Sequence, residues 1–247
     1  MIIEYHRPHT MDEALALLAR TSPKTVPLGG GTRINRWTAE PTAVVDLQAL
    51  PLKTIVTEGK QVEIGAGITL QELVENESLP PALREAAHRE AGLNFRNAAT
   101  LAGTLMTTDG RSALTAVLLA MDAHLVWLPG EKEIGLGEWL SARGQKQPGH
   151  LIAKIVFPAQ VPVGLQTVAR TPADLPIVVV VVAKFDLGRT RVVVGGFGAA
   201  PVLALDEVKP QNAANAVKKA LNQASDEWAG AAYRQAAAEA MLERLLS

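Results

Sequence analysis

The segment Pro27-Leu28-Gly29-Gly30-Gly31-Thr32-Arg33-Ile34 places three glycines directly after a short apolar run, Thr25-Val26-Pro27-Leu28. Glycine has no Cβ and tolerates left-handed backbone. Such a stretch therefore either makes a tight turn or lets the main chain come close to a ligand. In the second case the N–H groups converge as a nest for a phosphate-like anion, and Thr32 adds a hydroxyl donor. The pattern is not Gly-x-Gly-x-x-Gly, and no Gly-Lys-Ser/Thr follows it, so neither the dinucleotide fingerprint nor the P-loop applies.

Working outward, Thr10 with Glu13 has the spacing of a capping box. Leu15, Leu17 and Leu18 supply the apolar face of the helix it opens, and Ser22-Pro23 ends that helix. With the strands Thr25–Leu28 and Ala43–Leu47, this predicts a β-α-β unit whose middle strand runs into the glycines. Lys53–Val56 and Gln61–Ile64 form a hairpin around Glu58-Gly59-Lys60. Thr69 with Glu72 repeats the capping box, Pro80-Pro81 opens a helix, and Leu114–Met121 has the apolar density of a buried one. Leu125–Leu128 and Leu151–Phe157 read as strands, separated by a polar, glycine-rich loop over Ser141–His150.

After a linker-like Pro158–Pro162, two strong strands (Ile177–Phe185, Arg191–Phe197) precede two helical segments, Asn212–Ala224 and Ala229–Leu246. The run Ile177–Ala183 is β-branched and too short to span a bilayer, so it predicts a strand buried on both faces. Gly195-Gly196-Phe197-Gly198 reads as a bulge or turn. The class is α+β, with a first domain over 1–159 and a second over 160–247.

Composition removes several functions. Lys plus Arg is 24 against Asp plus Glu at 25, which leaves no excess charge for binding nucleic acid. The 247 residues contain no cysteine, which excludes disulfides, thiolate zinc sites, a cysteine nucleophile and an iron–sulfur cluster held by this chain alone. The N-terminus has no basic segment followed by an apolar one. The expectation is a cytoplasmic chain without membrane insertion.

No catalytic constellation is evident, so the catalytic set is empty. His6, His9, His88, His124 and His150 lack metal-ligand spacing, and no Gly-x-Ser-x-Gly elbow exists. A chain without its own acid, base or metal leaves the chemistry to a cofactor. A second small-residue segment, Asn97-Ala98-Ala99-Thr100-Leu101-Ala102-Gly103-Thr104-Leu105, either packs a helix on a sheet or brings backbone to a ligand. Thr107-Thr108-Asp109 follow it.

Together the segments resemble a family. Leu28 to Ile34 is similar to the first flavin loop (Ala-Gly-Gly-Thr-Asp-Leu) of the FAD-binding medium subunit of molybdenum hydroxylases, the group of xanthine, carbon monoxide and aldehyde dehydrogenases. Arg96–Thr104 resembles its second loop, Arg-Asn-x-x-Thr-Ile-Gly-Gly-Asn. Val44-Val45-Asp46-Leu47, Ile64–Thr69, Ala116–Ala123 and the tail from Asp226 through Arg234 follow the family in the same order.

The resemblance implies a two-lobed FAD domain of the vanillyl-alcohol-oxidase type, and a smaller C-terminal domain with a three-stranded sheet and helices. FAD would lie against Leu28, Gly29, Gly30, Gly31, Thr32, Arg33 and Ile34 from one lobe, and Thr100, Ala102, Gly103 and Thr104 from the other. It also implies a [2Fe–2S] subunit that delivers electrons, a molybdenum-cofactor subunit that oxidises substrate, and an external acceptor. The chain departs from the family in having Arg33 for Asp, Ala102 for the first glycine of a pair, Gln166 for a Lys, and Ala113 where an Asp bonds the flavin's polar chain. Asp109 stands nearby as a substitute acceptor. These departures motivate the alternative of a flavin-free scaffold or assembly subunit.

Overall fold

The computed structural model describes residues 1–34, 40–142, 149–208 and 211–247. The chain opens with β1 (Ile2–His6), α1 (Met11–Leu18), β2 (Lys24–Leu28) and β3 (Thr42–Asp46). Thr10 Oγ1 accepts from the Glu13 amide as the capping pattern predicts, while the Glu13 carboxylate accepts from the His9 amide. β4 (Ile55–Glu58) and β5 (Gln61–Gly65) form the hairpin, followed by α2 (Leu70–Glu75), α3 (Pro81–Glu90), α4 (Leu93–Arg96), α5 (Leu101–Thr107) and α6 (Ala113–Ala120).

Next come β6 (His124–Leu128), β7 (Lys132–Gly135), α7 (Leu136–Ser141) and β8 (Leu151–Pro158). Part of the expected loop between Ser141 and His150 lies outside the described residues. β9 (Val163–Val168), β10 (Val178–Lys184), β11 (Arg189–Gly195), β12 (Val202–Val208), α8 (Ala213–Ala220) and α9 (Ala231–Leu246) complete the chain. None of the described helices is long and apolar enough to cross a membrane.

The elements group into two compact units. The first comprises Met1–Glu72, Asn94–Thr107 and His124–Phe157, and the second Leu73–Leu93, Thr108–Ala123 and Pro158–Ser247. The chain passes from the first unit to the second for the last time after Phe157. Two earlier segments also belong with the C-terminal part.

Unit one carries two sheets. One is three-stranded in the order β1-β3-β2, with both pairs parallel. The sequence reading put β2 in the middle of this unit. In space β3 is central and β2 is an edge, which is where Pro27 and its missing N–H are tolerated. Ala14 and Leu18 of α1 bury against Val45, Leu50, Leu52 and Leu151. The other sheet has five strands in the order β4-β5-β8-β6-β7.

Unit two is built on an antiparallel sheet, β12-β11-β10-β9. It has four strands where the resemblance implied three. β9 and β12 both escaped the sequence reading, β12 because its residues are mostly exposed, with only Leu205 buried. Val178, Val180, Val182, Val192 and Val194 pack under Val217 of α8 and Met241 and Leu242 of α9. The opposite face lies against α6, all eight of whose residues are buried. β10 is therefore covered on both faces, as its β-branched run predicted.

Two features lock this unit. Arg234 is fully buried and donates to the carbonyls of Ile177, Ala224, Ala229 and Gly196, and to both oxygens of Asp226. At the bend after β11, Gly196 has φ +103, and a Cβ there would stand 2.2 Å from the Ile177 carbonyl oxygen. The Gly195–Gly198 stretch is thus the structural turn the sequence suggested, bonded to Gly110 through the Gly196 and Gly110 amides.

Candidate cofactor site

Because β1, β2 and β3 run parallel, their carboxyl ends lie along one edge of the sheet. The register pairs His6 with Val45 and Leu28 with Asp46. Arg7, the glycine loop and Leu47-Gln48 therefore leave the sheet side by side, at the edge where open parallel sheets place ligands. They open onto a cavity of about 730 Å³ within unit one. That is the scale of a small-molecule or cofactor pocket, ~300–1,000 Å³. Its other walls are Leu52-Lys53, Ala66-Gly67, the Asn97–Thr107 segment, and Trp127, Leu151 and Ile152 from the five-stranded sheet.

The glycines serve the approach of one loop to the other. A Cβ on Gly30 would stand 1.5 Å from the Ala98 carbonyl oxygen, one on Gly29 would stand 2.7 Å from Thr100 Oγ1, and one on Gly103 would stand 2.8 Å from the same Oγ1. The sequence reading allotted the space of the missing side chains to a ligand. At Gly29 and Gly30 that space is filled by the second loop. Gly31 has φ +70, so glycine is required there by the backbone. Among the described residues, no main-chain carbonyl accepts from the amides of Gly29, Gly30, Gly31, Thr32 or Arg33. The run is half-buried, with Arg33 exposed, and main-chain donors left without protein partners beside a cavity suit an anionic ligand.

The second loop is held from behind. Leu70 N–H donates to Ala99 O, Leu101 N–H to Ile68 O, and Ala102 N–H to Ala66 O. Thr100 Oγ1 accepts from the Gly103 amide at the start of α5. The Thr69–Glu72 capping box is closed in both directions. Burial works against the Glu72 charge, but hydrogen bonds from the Thr69 main chain and side chain, together with Lys53, hold the carboxyl below its ordinary range.

Leu28 to Ile34, Thr100, Ala102 and Gly103 all line the cavity. Thr104 sits one position further along α5 and is buried, outside the lining. Asp109 belongs to unit two, where its Oδ1 accepts from the Arg111 amide. Ala113 is buried at the first position of α6, and Gln166 faces Val180 across β9 and β10.

The sequence reading missed Arg7, Gln48, Lys53, Trp127, His150 and Ile152 in the lining. The available signal was position, since Arg7 and Gln48 immediately follow parallel strands. Charge is also one-sided. Among the described residues, Arg7, Arg33 and Lys53 line the cavity, and no Asp or Glu does. In a chain of net charge −1 this is a local concentration of positive potential. Among the described residues no group of three His, Cys, Asp or Glu could hold a metal ion.

Residues 1–160 match the family described as the FAD binding domain in molybdopterin dehydrogenase. The chain belongs to that family. The Escherichia coli (strain K12) protein YgfM is 30% identical over 227 residues, covering 90% of this chain and 85% of that protein. The 6-hydroxypseudooxynicotine dehydrogenase complex subunit alpha of Paenarthrobacter nicotinovorans is 31% identical over 173 residues, 65% of this chain and 58% of that subunit. The carbon monoxide dehydrogenase of Hydrogenophaga pseudoflava contains a chain with a TM-score of 0.83 at 23% identity, covering 100% of this chain and 96% of that one. Quinoline 2-oxidoreductase from Pseudomonas putida 86 gives 0.80 at 18% identity, covering 98% and 95%. At those identities the solved structures establish the fold.

The residues of this chain fit FAD. The lining offers a run of main-chain donors and the cations Arg7, Arg33 and Lys53, which suit a diphosphate. Apolar walls at Leu52, Leu151 and Ile152 suit planar rings.

Proposed function

We propose that this chain is the FAD-carrying electron-transfer subunit of a molybdenum-containing dehydrogenase. It takes electrons from an iron–sulfur subunit and passes them to an external acceptor, in a complex whose molybdenum subunit oxidises the substrate. The observation that carries the reading is the meeting of the two loops at one cavity lined, among the described residues, by Arg7, Arg33 and Lys53 and by no carboxylate. Family membership and the names of relatives that are subunits of dehydrogenase complexes support it.

In this reading the Gly29–Arg33 amides and the three cations hold the diphosphate. Thr32 and Thr100 bond the polar chain, and the apolar wall shelters a ring from water. FAD, when bound, supplies the conversion between single electrons and electron pairs, which no side chain of this cavity offers. The absence of cysteine makes the iron–sulfur donor a separate chain.

The test is co-purification. The full chain, co-expressed with a candidate iron–sulfur subunit and a candidate molybdenum subunit, should form one complex whose flavin absorbance bleaches on reduction through the iron–sulfur subunit. A complex that forms without flavin, even after incubation with FAD, would instead favour a scaffold role. If the complex's flavin receives no electrons from the cluster, the electron-transfer reading fails.

A further inference from the structure

We propose that Arg7 is the strand-anchored cation among those that bind the cofactor's diphosphate, and that the buried carboxylate of Asp46, fixed by Tyr5, positions it. The proposal rests on the FAD reading above. Arg7 is the first residue after β1 and lines the cavity, and its Nε lies 3.7 Å from Asp46 Oδ2. That separation is an ion pair longer than a hydrogen bond, so most of the five guanidinium donors remain for a second anion.

Asp46 is 2% exposed at the end of β3, where a buried polar group requires hydrogen-bond partners. It has two besides Arg7. The Tyr5 hydroxyl donates to Oδ2, and the Gln48 amide donates to Oδ1 at 3.0 Å. The bond to Asp46 also pushes the Tyr5 hydroxyl above its usual range, so it stays a donor at neutral pH. Gln48 itself lines the cavity and reaches toward the Gly29 carbonyl, with Nε2 at 3.5 Å. One buried carboxylate at the end of the central strand therefore contacts both Arg7, which follows β1, and Gln48, which follows β3.

The other lining cations are placed differently. Lys53 already pairs with Glu72 at 3.4 Å, and Arg33 is an exposed residue of the half-buried glycine loop rather than of a strand end. Arg7 is the cation set in place by the sheet.

The experiment uses the purified full chain, with FAD and riboflavin as probes and salt as the second variable. Arg7→Gln should weaken FAD binding about 10- to 100-fold, the cost of one charge-assisted contact. It should flatten the dependence of FAD affinity on salt and leave riboflavin, which has no phosphate, unchanged. Arg7→Lys should restore most of the affinity, and Tyr5→Phe should weaken FAD alone, by about 3- to 10-fold.

Wild-type FAD affinity and salt slope in Arg7→Gln overturn the proposal while leaving the FAD reading intact, as does an equal loss for riboflavin. If Arg7→Gln does not fold, Tyr5→Phe decides, and wild-type FAD affinity in it overturns the positioning. A wild-type chain that takes up no FAD overturns the FAD reading and this proposal with it.

Discussion

Replacing Gly30 by alanine is the smallest change that tests how the two loops build the site. The added Cβ would lie 1.5 Å from the Ala98 carbonyl oxygen and 2.4 Å from its carbon. Non-bonded atoms settle at roughly 3.5 Å, so the loops must separate by about 2 Å. Neither side can yield by changing rotamer, because both are main chain. Ala98 and Ala99 are themselves held by amide bonds to the Phe95 carbonyl, the second at 2.7 Å, and the Ala99 carbonyl by the Leu70 amide. Overpacking in a core costs about 1–3 kcal/mol when side chains can adjust, and here the upper end applies. If the site forms only when the loops meet, that strain appears as lost affinity, about 100-fold in the FAD dissociation constant.

The assay is a flavin-fluorescence titration of the purified chain, with circular dichroism to show that the fold persists. Gly92→Ala is the internal control. No atom lies within 4 Å of its added Cβ, and its φ is not in the left-handed region. It should leave binding unchanged and stability level or slightly improved. A folded Gly30→Ala chain that binds FAD within about threefold of the wild type would refute the reasoning, since ~0.7 kcal/mol is far below what the clash requires.

Other outcomes follow from the same geometry. Arg234→Met should destabilise unit two by about 3–5 kcal/mol in urea unfolding, because it removes the fully buried guanidinium that pairs with Asp226 and donates to the carbonyls of Ile177, Ala224 and Gly196. Desolvation pushes the Asp226 carboxyl up. The bonds from Arg234 and from the amides of Trp228 and Ala229 outweigh it and hold the group below its usual range. The folded value is thus lower than the unfolded one, so this stability is present above about pH 4 and is lost as pH falls through the folded value. Asp226→Asn should flatten that acid limb in a pH series of unfolding midpoints. Thr69→Ala removes the cap of α2 and should cost about 1 kcal/mol, read as a lower urea midpoint.

What could be read from sequence depended on how local the cause was. The caps at Thr10 and Thr69 act over three residues, and both are present. The continuous valines of β10 can be buried only on both faces, and they are. β12 was invisible because it is an edge strand, with the mostly exposed side chains of one. Its strand character comes from pairing with β11. The glycine loop was visible as a loop, but the partner for its missing side chains was not. That partner, Ala98, is brought in by bonds between the second loop and residues 66–70. Arg7 carries no local signal at all. Only the parallel pairing of β1, β3 and β2 brings it to the cavity that Gly29 and Gln48 also line.

The central claim is that this cavity holds FAD, and equilibrium binding of FAD to the purified full chain tests it most directly. The account predicts uptake of one FAD per chain, seen as flavin absorbance in the blue and near-ultraviolet that persists through desalting. Affinity should fall as salt rises, because Arg7, Arg33 and Lys53 face the diphosphate. A folded chain that stays colourless after incubation with excess FAD, at low as well as high salt, would contradict it.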